Sequence, residues 1–268
     1  MNVFIHDLRF GLKSFLIWSM VLFVFVFAGM VKYTGVEAGG MDAVDALINS
    51  FPKILLAVMG FSGLDVSGID GFYAILEVYV MIVAALYAVH LGQVAVSRER
   101  VDGTYEFLFT KPRSRSSVLG EKILAGLIFL IAFSLLNFAF SQAGYAQLGL
   151  SSDMSGVFAV FSAALAAVSF TFFGLGAMLS ALFRSPEVGA RAGNLSVLVF
   201  YMIGVVCSSM DDPTILRYLT PFKFFDPHPL MDQTVELFPV ILCLVVGATS
   251  LAIAFACFCR RDLPSGAE

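Results

Sequence analysis

The sequence predicts an all-α integral membrane protein with six transmembrane helices, and three observations carry that expectation. The 268 residues are 59% hydrophobic and 13% charged, against roughly 45–50% and about 25% in an average soluble domain. The mean hydropathy is +0.90. The apolar residues gather into six runs, most of them near the ~20 residues a helix needs to cross the hydrocarbon core. A soluble fold of this length cannot hide so much apolar surface, so lipid must solvate it. Backbone in lipid has to satisfy its own hydrogen bonds, so long apolar runs read as helices rather than open strands.

A single transmembrane domain, residues 1–268, contains all of them. The spans fall at 15–31, 72–96, 123–145, 157–183, 193–210 and 237–259. The fifth is the weakest, because it needs residues 191–194 or 208–210 to reach full length. Before the first span, residues 1–14 mix Phe4, Ile5, Leu8, Phe10 and Leu12 with His6, Asp7, Arg9 and Lys13. That pattern suits an amphipathic helix on the inner membrane surface. The first run is expected to remain rather than be cleaved as a signal peptide: its start is weakly basic, no Ala-x-Ala site comes after it and the run is long.

Six spans place both termini on one side. Twelve Lys and Arg residues fall on that side, and four (Lys32, Lys53, Arg217 and Lys223) on the other. By the positive-inside rule the termini are cytoplasmic. On the outer side, residues 41–60, interrupted by Pro52, read as an interfacial helix. Residues 211–236 read as an outer cap of short helical turns, since the stretch 213–239 holds prolines at 213, 221, 227, 229 and 239. The four cysteines (Cys207, Cys243, Cys257, Cys259) form no disulfide framework. Cys257 and Cys259 are two apart, so on a helix they point to different faces and make a poor metal clamp.

The most elaborate polar segment is the cytoplasmic loop at 97–117. Asp102 and Gly103 make a turn and can cap a helix beginning at residue 104. Residues 104–110 are long enough for two helical turns, and Pro112 ends them because the residue before a proline avoids the α region. Asp102 and Glu106 lie toward the start of that short helix and Lys111, Arg113 and Arg115 beyond its end, which matches the helix dipole. Tyr105 and Leu108 share one face with Phe107 beside it. Ser116 or Ser117 is then expected to cap the third span, with Glu121 in its first turn. An ordinary solvated loop accounts for the charges but has no use for Phe107 and Phe109.

The run Arg-Glu-Arg-x-x-Gly-Thr-x-Glu-x-Leu-x-x-Lys-Pro-x-Ser-Arg, with Lys122 opening the next span, resembles the signature of ABC-2 type transporter permeases, the membrane subunits of ATP-driven exporters. Three weaker points agree: Phe183-Arg-Ser after a fourth span rich in small residues (Gly174, Gly176, Ala177, Ala181), Leu219-Thr-Pro-Phe222 opening the cap, and Phe258-Cys-Arg-Arg-Asp-Leu263. The resemblance covers essentially the whole chain. It implies that the loop is a coupling helix docking on a separate ATP-binding subunit. Glu99, Gly103, Thr104, Glu106, Leu108, Lys111, Pro112, Ser114, Arg115 and Lys122 match the pattern, and Phe107 joins them at the apolar tip. Their implied role is to shape and anchor the docking helix rather than to do chemistry. The chain contains no Gly-x-x-x-x-Gly-Lys-Ser/Thr phosphate loop. ATP and Mg are therefore expected on the partner, with two ATP-binding subunits serving a pair of membrane subunits, identical or related, in a bacterial plasma membrane. Lipid is the other expected partner. No nucleic acid and no metal are expected.

Ionisable groups inside spans are costly and often functional. Four polar residues are candidates for a pathway: Glu77, His90, Asn137 and Gln142. Glu77 lies about one turn into the second span. Its plainer expectation is that the carboxylate snorkels to the outer interface; a cationic cargo, or Arg217 or Lys223 of the cap, would be the alternative partner. His90 lies 13 residues on, about 20 Å along a helix, so the two do not touch. Its plainer expectation is a neutral ring hydrogen-bonded between helices. Asn137, Ser141 and Gln142 either line a pathway or knit helices together. Phe170, Phe172 and Phe173 either line a greasy cavity or face lipid, lipid being the plainer expectation. The cargo suggested is hydrophobic or amphipathic.

Two other classes compete with this reading. Gly60-Phe-Ser-Gly63 matches the Gly-x-Ser-Gly of rhomboid-like intramembrane serine proteases, but a serine nucleophile needs a base within reach. His90 lies toward the opposite membrane face, and His228 in a proline-rich loop. A secondary transporter or channel would need inverted repeats or matched broken helices, and none is evident.

Overall fold

The computed structural model describes residues 3–39, 50–61, 64, 68–103, 114–150, 152–210, 216–225 and 227–260, with the side chains of the first helix described from residue 4 to residue 34. Among the described residues there is no strand. The described residues contain eight α-helices in order: α1 (Val3–Gly39), α2 (Lys53–Val58), α3 (Ile69–Val101), α4 (Arg115–Ala146), α5 (Ser155–Leu182), α6 (Pro186–Ser209), α7 (Pro227–Met231) and α8 (Leu237–Arg260). Two 3-10 turns, Leu216–Leu219 and Pro221–Lys223, precede α7. Six of the helices (α1, α3, α4, α5, α6 and α8) are long and apolar enough to cross a membrane.

Two differences from expectation concern helix ends. Residues 3–14 do not form a helix of their own but run straight into the first span. Val3–Gly39 is one continuous helix of 37 residues, because no proline separates the polar start from the apolar run. At 1.5 Å per residue it is about 55 Å long, well beyond the ~30 Å of a hydrocarbon core. The cap of α4 is Ser114, not Ser116 or Ser117: its Oγ accepts the Ser117 N–H at 3.2 Å. With nothing to break the helix after Arg113, both later serines join its first turn. Outside the spans, Asp153 accepts the Ser155 N–H at 3.0 Å just before α5. Hydrogen bonding from Ser155, its side chain first and its backbone N–H second, holds that carboxyl below the usual aspartate range.

The centre of the bundle is α3 against α5, and their surfaces explain why. Each carries a glycine at the crossing. A Cβ on Gly176 would sit 2.5 Å from the Val89 carbonyl oxygen, and one on Gly92 would sit 2.7 Å from the Ala177 nitrogen. The backbones therefore meet directly, the close approach that small residues permit between helices in lipid. Gly174 and Gly247 make a second such contact between α5 and α8. Around this seam lie the fully buried side chains of Tyr87, Phe133, Phe172 and Phe173. Phe172 and Phe173 thus belong to the core and do not face lipid, while Phe170 packs against Gly247. Most of the described apolar side chains left outside are on α1, α4, α6 and α8, including Leu16, Ile17, Met20, Leu135, Leu198 and Ile241, which suits a lipid-facing surface.

At one end, Asp7 of α1, Arg98 of α3, Glu121 of α4 and Arg184 after α5 come together. Both the first and the last described helices have their terminal turns there: Phe255 of α8 is the nearest neighbour of Gly120. At the other end, α2, the 3-10 turns and α7 form a cap. Thr220 donates to the Phe200 carbonyl at 2.6 Å, Tyr201 to Val58 at 2.6 Å and Tyr79 to Met59 at 2.8 Å.

Candidate functional site

Two polar constellations stand out, one at each end. At the terminal end, the last turn of α3 is tied to its surroundings by nearly every polar residue it has. Arg98 pairs with Asp7 of α1 at 3.0 Å and with Asp102 at 3.4 Å, and its guanidinium lies over the Phe10 ring, 3.3 Å from the centroid. Glu99 forms an ion pair with Lys122 of α4, which also donates to the Ala95 carbonyl at 3.3 Å. The Lys122 side chain is 2% exposed, so Glu99 is the charge that makes its burial tolerable. Arg100 donates to the Arg184 carbonyl at the turn between α5 and α6. Then α3 stops: the Asp102 N–H closes on the Arg98 carbonyl at 2.9 Å, and Gly103 adopts φ +66°, a left-handed conformation that suits glycine. The chain entering residues 104–113 thus leaves a helix end fastened to α1, α4 and the α5–α6 turn.

The second constellation begins eight residues into α3. Glu77 is fully buried. Its Oε1 accepts from the Tyr73 hydroxyl, one turn earlier on the same face, and from Asn137 Nδ2 of α4 at 3.0 Å. Tyr73 also shares a hydrogen bond with Ser141 at 3.0 Å, and Asn137 donates to Ser162 of α5 at 3.2 Å. Glu77 Oε2 and Asn137 Oδ1 have no hydrogen-bond partner among the described residues. Glu77 also lines a cavity of about 240 Å³ between α3, α6 and the cap.

A family model described as ABC-2 family transporter protein matches residues 1–263. The chain belongs to the ABC-2 transporter family. No curated protein matches it at a significant level. Members supply the membrane part of an ABC transporter and generally work with an ATP-binding subunit.

In this permease the expected coupling residues divide in two. Thr104, Glu106, Phe107, Leu108, Lys111 and Pro112 lie outside the described residues. Glu99 and Gly103 are placed at the fastened end of α3, and Arg115 opens α4. Ser62, of the protease-like tetrapeptide, also lies outside the described residues.

Of the expected pathway residues, the structure joins Glu77 to Asn137 and, through Tyr73, to Ser141. It leaves out His90 and Gln142, which are half-buried and make no hydrogen bond among the described residues. Among the described residues, His90 makes no interhelical hydrogen bond. Glu77 does not snorkel: it points into the bundle, where a tyrosine and an asparagine hold it. Nor does it meet Arg217, which pairs instead with Glu236 at 3.3 Å. Tyr73 and Ser162 are absent from the sequence-based candidates. The i, i+4 spacing of Tyr73 and Glu77 is an available signal, whereas nothing in the sequence aligns Ser162 with Asn137.

Proposed function

We propose that the chain is the permease subunit of an ATP-driven ABC exporter for a hydrophobic or amphipathic cargo. It lies in a bacterial plasma membrane with both termini cytoplasmic. It pairs with a second permease subunit and two separate ATP-binding subunits. The observation that carries the reading is the fastened end of α3. Closure of the ATP-binding subunits displaces the loop helix at 104–110. Since the turn of α3 that precedes it is tied to α1 through Asp7, to α4 through Lys122 and to the α5–α6 turn through Arg184, that displacement is shared among these helices instead of bending one. Helix motions of this kind alternate access by moving packed units rather than single residues.

The test is substitution at the loop tip. With the neighbouring ATP-binding subunit co-expressed, Leu108→Arg and Glu106→Arg are each expected to abolish its co-purification and ATP-dependent transport. The membrane content of the permease itself should stay unchanged. Undiminished co-purification and transport would remove the docking role. Movement of cargo on an ion gradient without any ATPase would instead favour a secondary carrier.

A further inference from the structure

The outer face of α1 carries a groove that neither the fastened end of α3 nor the Glu77 knot uses. Every described residue lining it belongs to α1, among them His6, Arg9, Lys13, Ser14, Ile17 and Trp18. Positions 6, 9, 13 and 17 recur every three or four residues, so they stack along one side of the helix. Arg9 and Lys13 are exposed, and among the described residues neither has an ion-pair or hydrogen-bond partner. The nearby carboxylates are engaged elsewhere: Asp7 pairs with Arg98 at 3.0 Å, and Glu121 of α4 accepts the Phe4 N–H at 3.2 Å. Beyond Lys13 no residue is charged until Lys32. Residues 14–31 cover about 27 Å of helix, close to the ~30 Å of a hydrocarbon core, so Lys13 stands where the headgroups begin. Leu16, Ile17 and Met20, just past it, are exposed as lipid-facing side chains are.

Unmatched cations at the head of an apolar strip select a ligand class. A zwitterionic headgroup brings an ammonium for which no carboxylate lines the groove. A soluble anion leaves the apolar strip uncovered. We propose that the groove is a site for an anionic phospholipid, its phosphate diester held between Arg9 and Lys13 and its acyl chain lying along Ile17 and Trp18. Arginine takes a phosphate through a fork of N–H groups, and lysine adds a point charge. The volume, about 520 Å³, lies within the roughly 300–1,000 Å³ of small-molecule sites, which is room for a headgroup and the start of a chain. A lipid held there fixes the depth of α1 in the bilayer, on the helix whose Asp7 ties it to the end of α3. The proposal rests on the chain's place in a membrane and not on the exporter reading.

Trp18 is the only tryptophan in the chain, so its fluorescence reports on this groove alone. The full chain, without an ATP-binding subunit, is reconstituted in bilayers of phosphatidylcholine and phosphatidylglycerol in equal parts, with bromine on the acyl chains of one lipid or the other. Bromine quenches an indole only at close range, so the two samples compare the lipids that sit beside Trp18. The wild type is expected to favour phosphatidylglycerol there by about fivefold or more, the scale of one basic side chain at an anionic headgroup. Arg9→Gln with Lys13→Gln should bring the two lipids to parity. An unchanged Trp18 emission maximum in unbrominated lipid confirms that this variant keeps its fold. Arg191→Gln with Arg260→Gln removes the same amount of exposed charge from the same end of the bundle, on α6 and α8, and should leave the preference intact. Equal quenching by the two lipids in the wild type overturns the proposal. An equal fall in both double variants also overturns it, since the attraction is then a diffuse field and not a site. A Trp18 that neither lipid quenches overturns it as well, because a second copy of the chain then covers the face. ATP-driven transport is decided separately by the loop variants, so either reading can fail without the other.

Discussion

Replacing Glu99 with alanine is expected to cost about 3 kcal/mol of stability, because it strands the Lys122 ammonium inside the bundle. Lys122 is 2% exposed and Glu99 16%, so water reaches the carboxylate but scarcely the amine. Removing one partner of such a pair costs about 3–5 kcal/mol, whereas an exposed pair is worth about 0.2–1 kcal/mol. The partial exposure of Glu99 puts the expectation at the lower end. The double variant Glu99→Ala with Lys122→Met should recover most of the loss, since no charge is left without a partner. Chemical denaturation in micelles of the wild type, Glu99→Ala, Lys122→Met and the double variant gives the coupling energy directly. A coupling below about 0.5 kcal/mol would place Lys122 in water and undo the description of the α3 end as fastened.

The second large effect is expected at the crossing of α3 and α5. Leucine at Gly176 has to occupy space already held by the Val89 carbonyl, whose oxygen lies 2.5 Å from where a Cβ would sit. Backbone cannot move aside as a flexible side chain can. Overpacking costs about 1–3 kcal/mol where neighbours adjust, and here the two most buried helices would have to separate along their length. Gly176→Leu is therefore expected to prevent accumulation of the folded protein in membranes. Gly120→Ala, whose nearest neighbour is Phe255 Cζ at 4.0 Å, should accumulate normally. Comparable yields of both variants from membranes would mean that α3 and α5 do not touch through these glycines.

The six spans are legible in the sequence because hydropathy reports whether a segment can sit in lipid. The small residues of the fourth span, Gly174 and Gly176 among them, also mark where a partner helix can approach. Which side of a span faces protein is not legible. In lipid, the core and the bilayer are equally apolar, so Phe172 and Phe173 read the same whether they pack against protein or against acyl chains; Phe172 in fact lies 5.1 Å from the Phe222 ring. The same limit applies to Glu77. Its position near a span end makes the interface the plainer destination, but Asn137, which holds it, and Ser162, which holds Asn137, come from two other helices and are aligned by packing alone. At the terminal end, charge order does carry information. Arg98, Glu99 and Lys122 belong to the charged stretch that the sequence singles out, and the structure gives them a physical task in holding the end of α3.

The claim on which the account turns is that the apolar tip of the 104–110 segment seats in an ATP-binding subunit on the cytoplasmic side. A photo-crosslinking benzoylphenylalanine at Phe107, activated in intact cells, tests both halves of it at once. The account predicts a single adduct whose mass is the sum of the permease and its ATP-binding subunit, formed without access from outside. Absence of that adduct together with labelling of the same position by an impermeant reagent added to the cell exterior would contradict it.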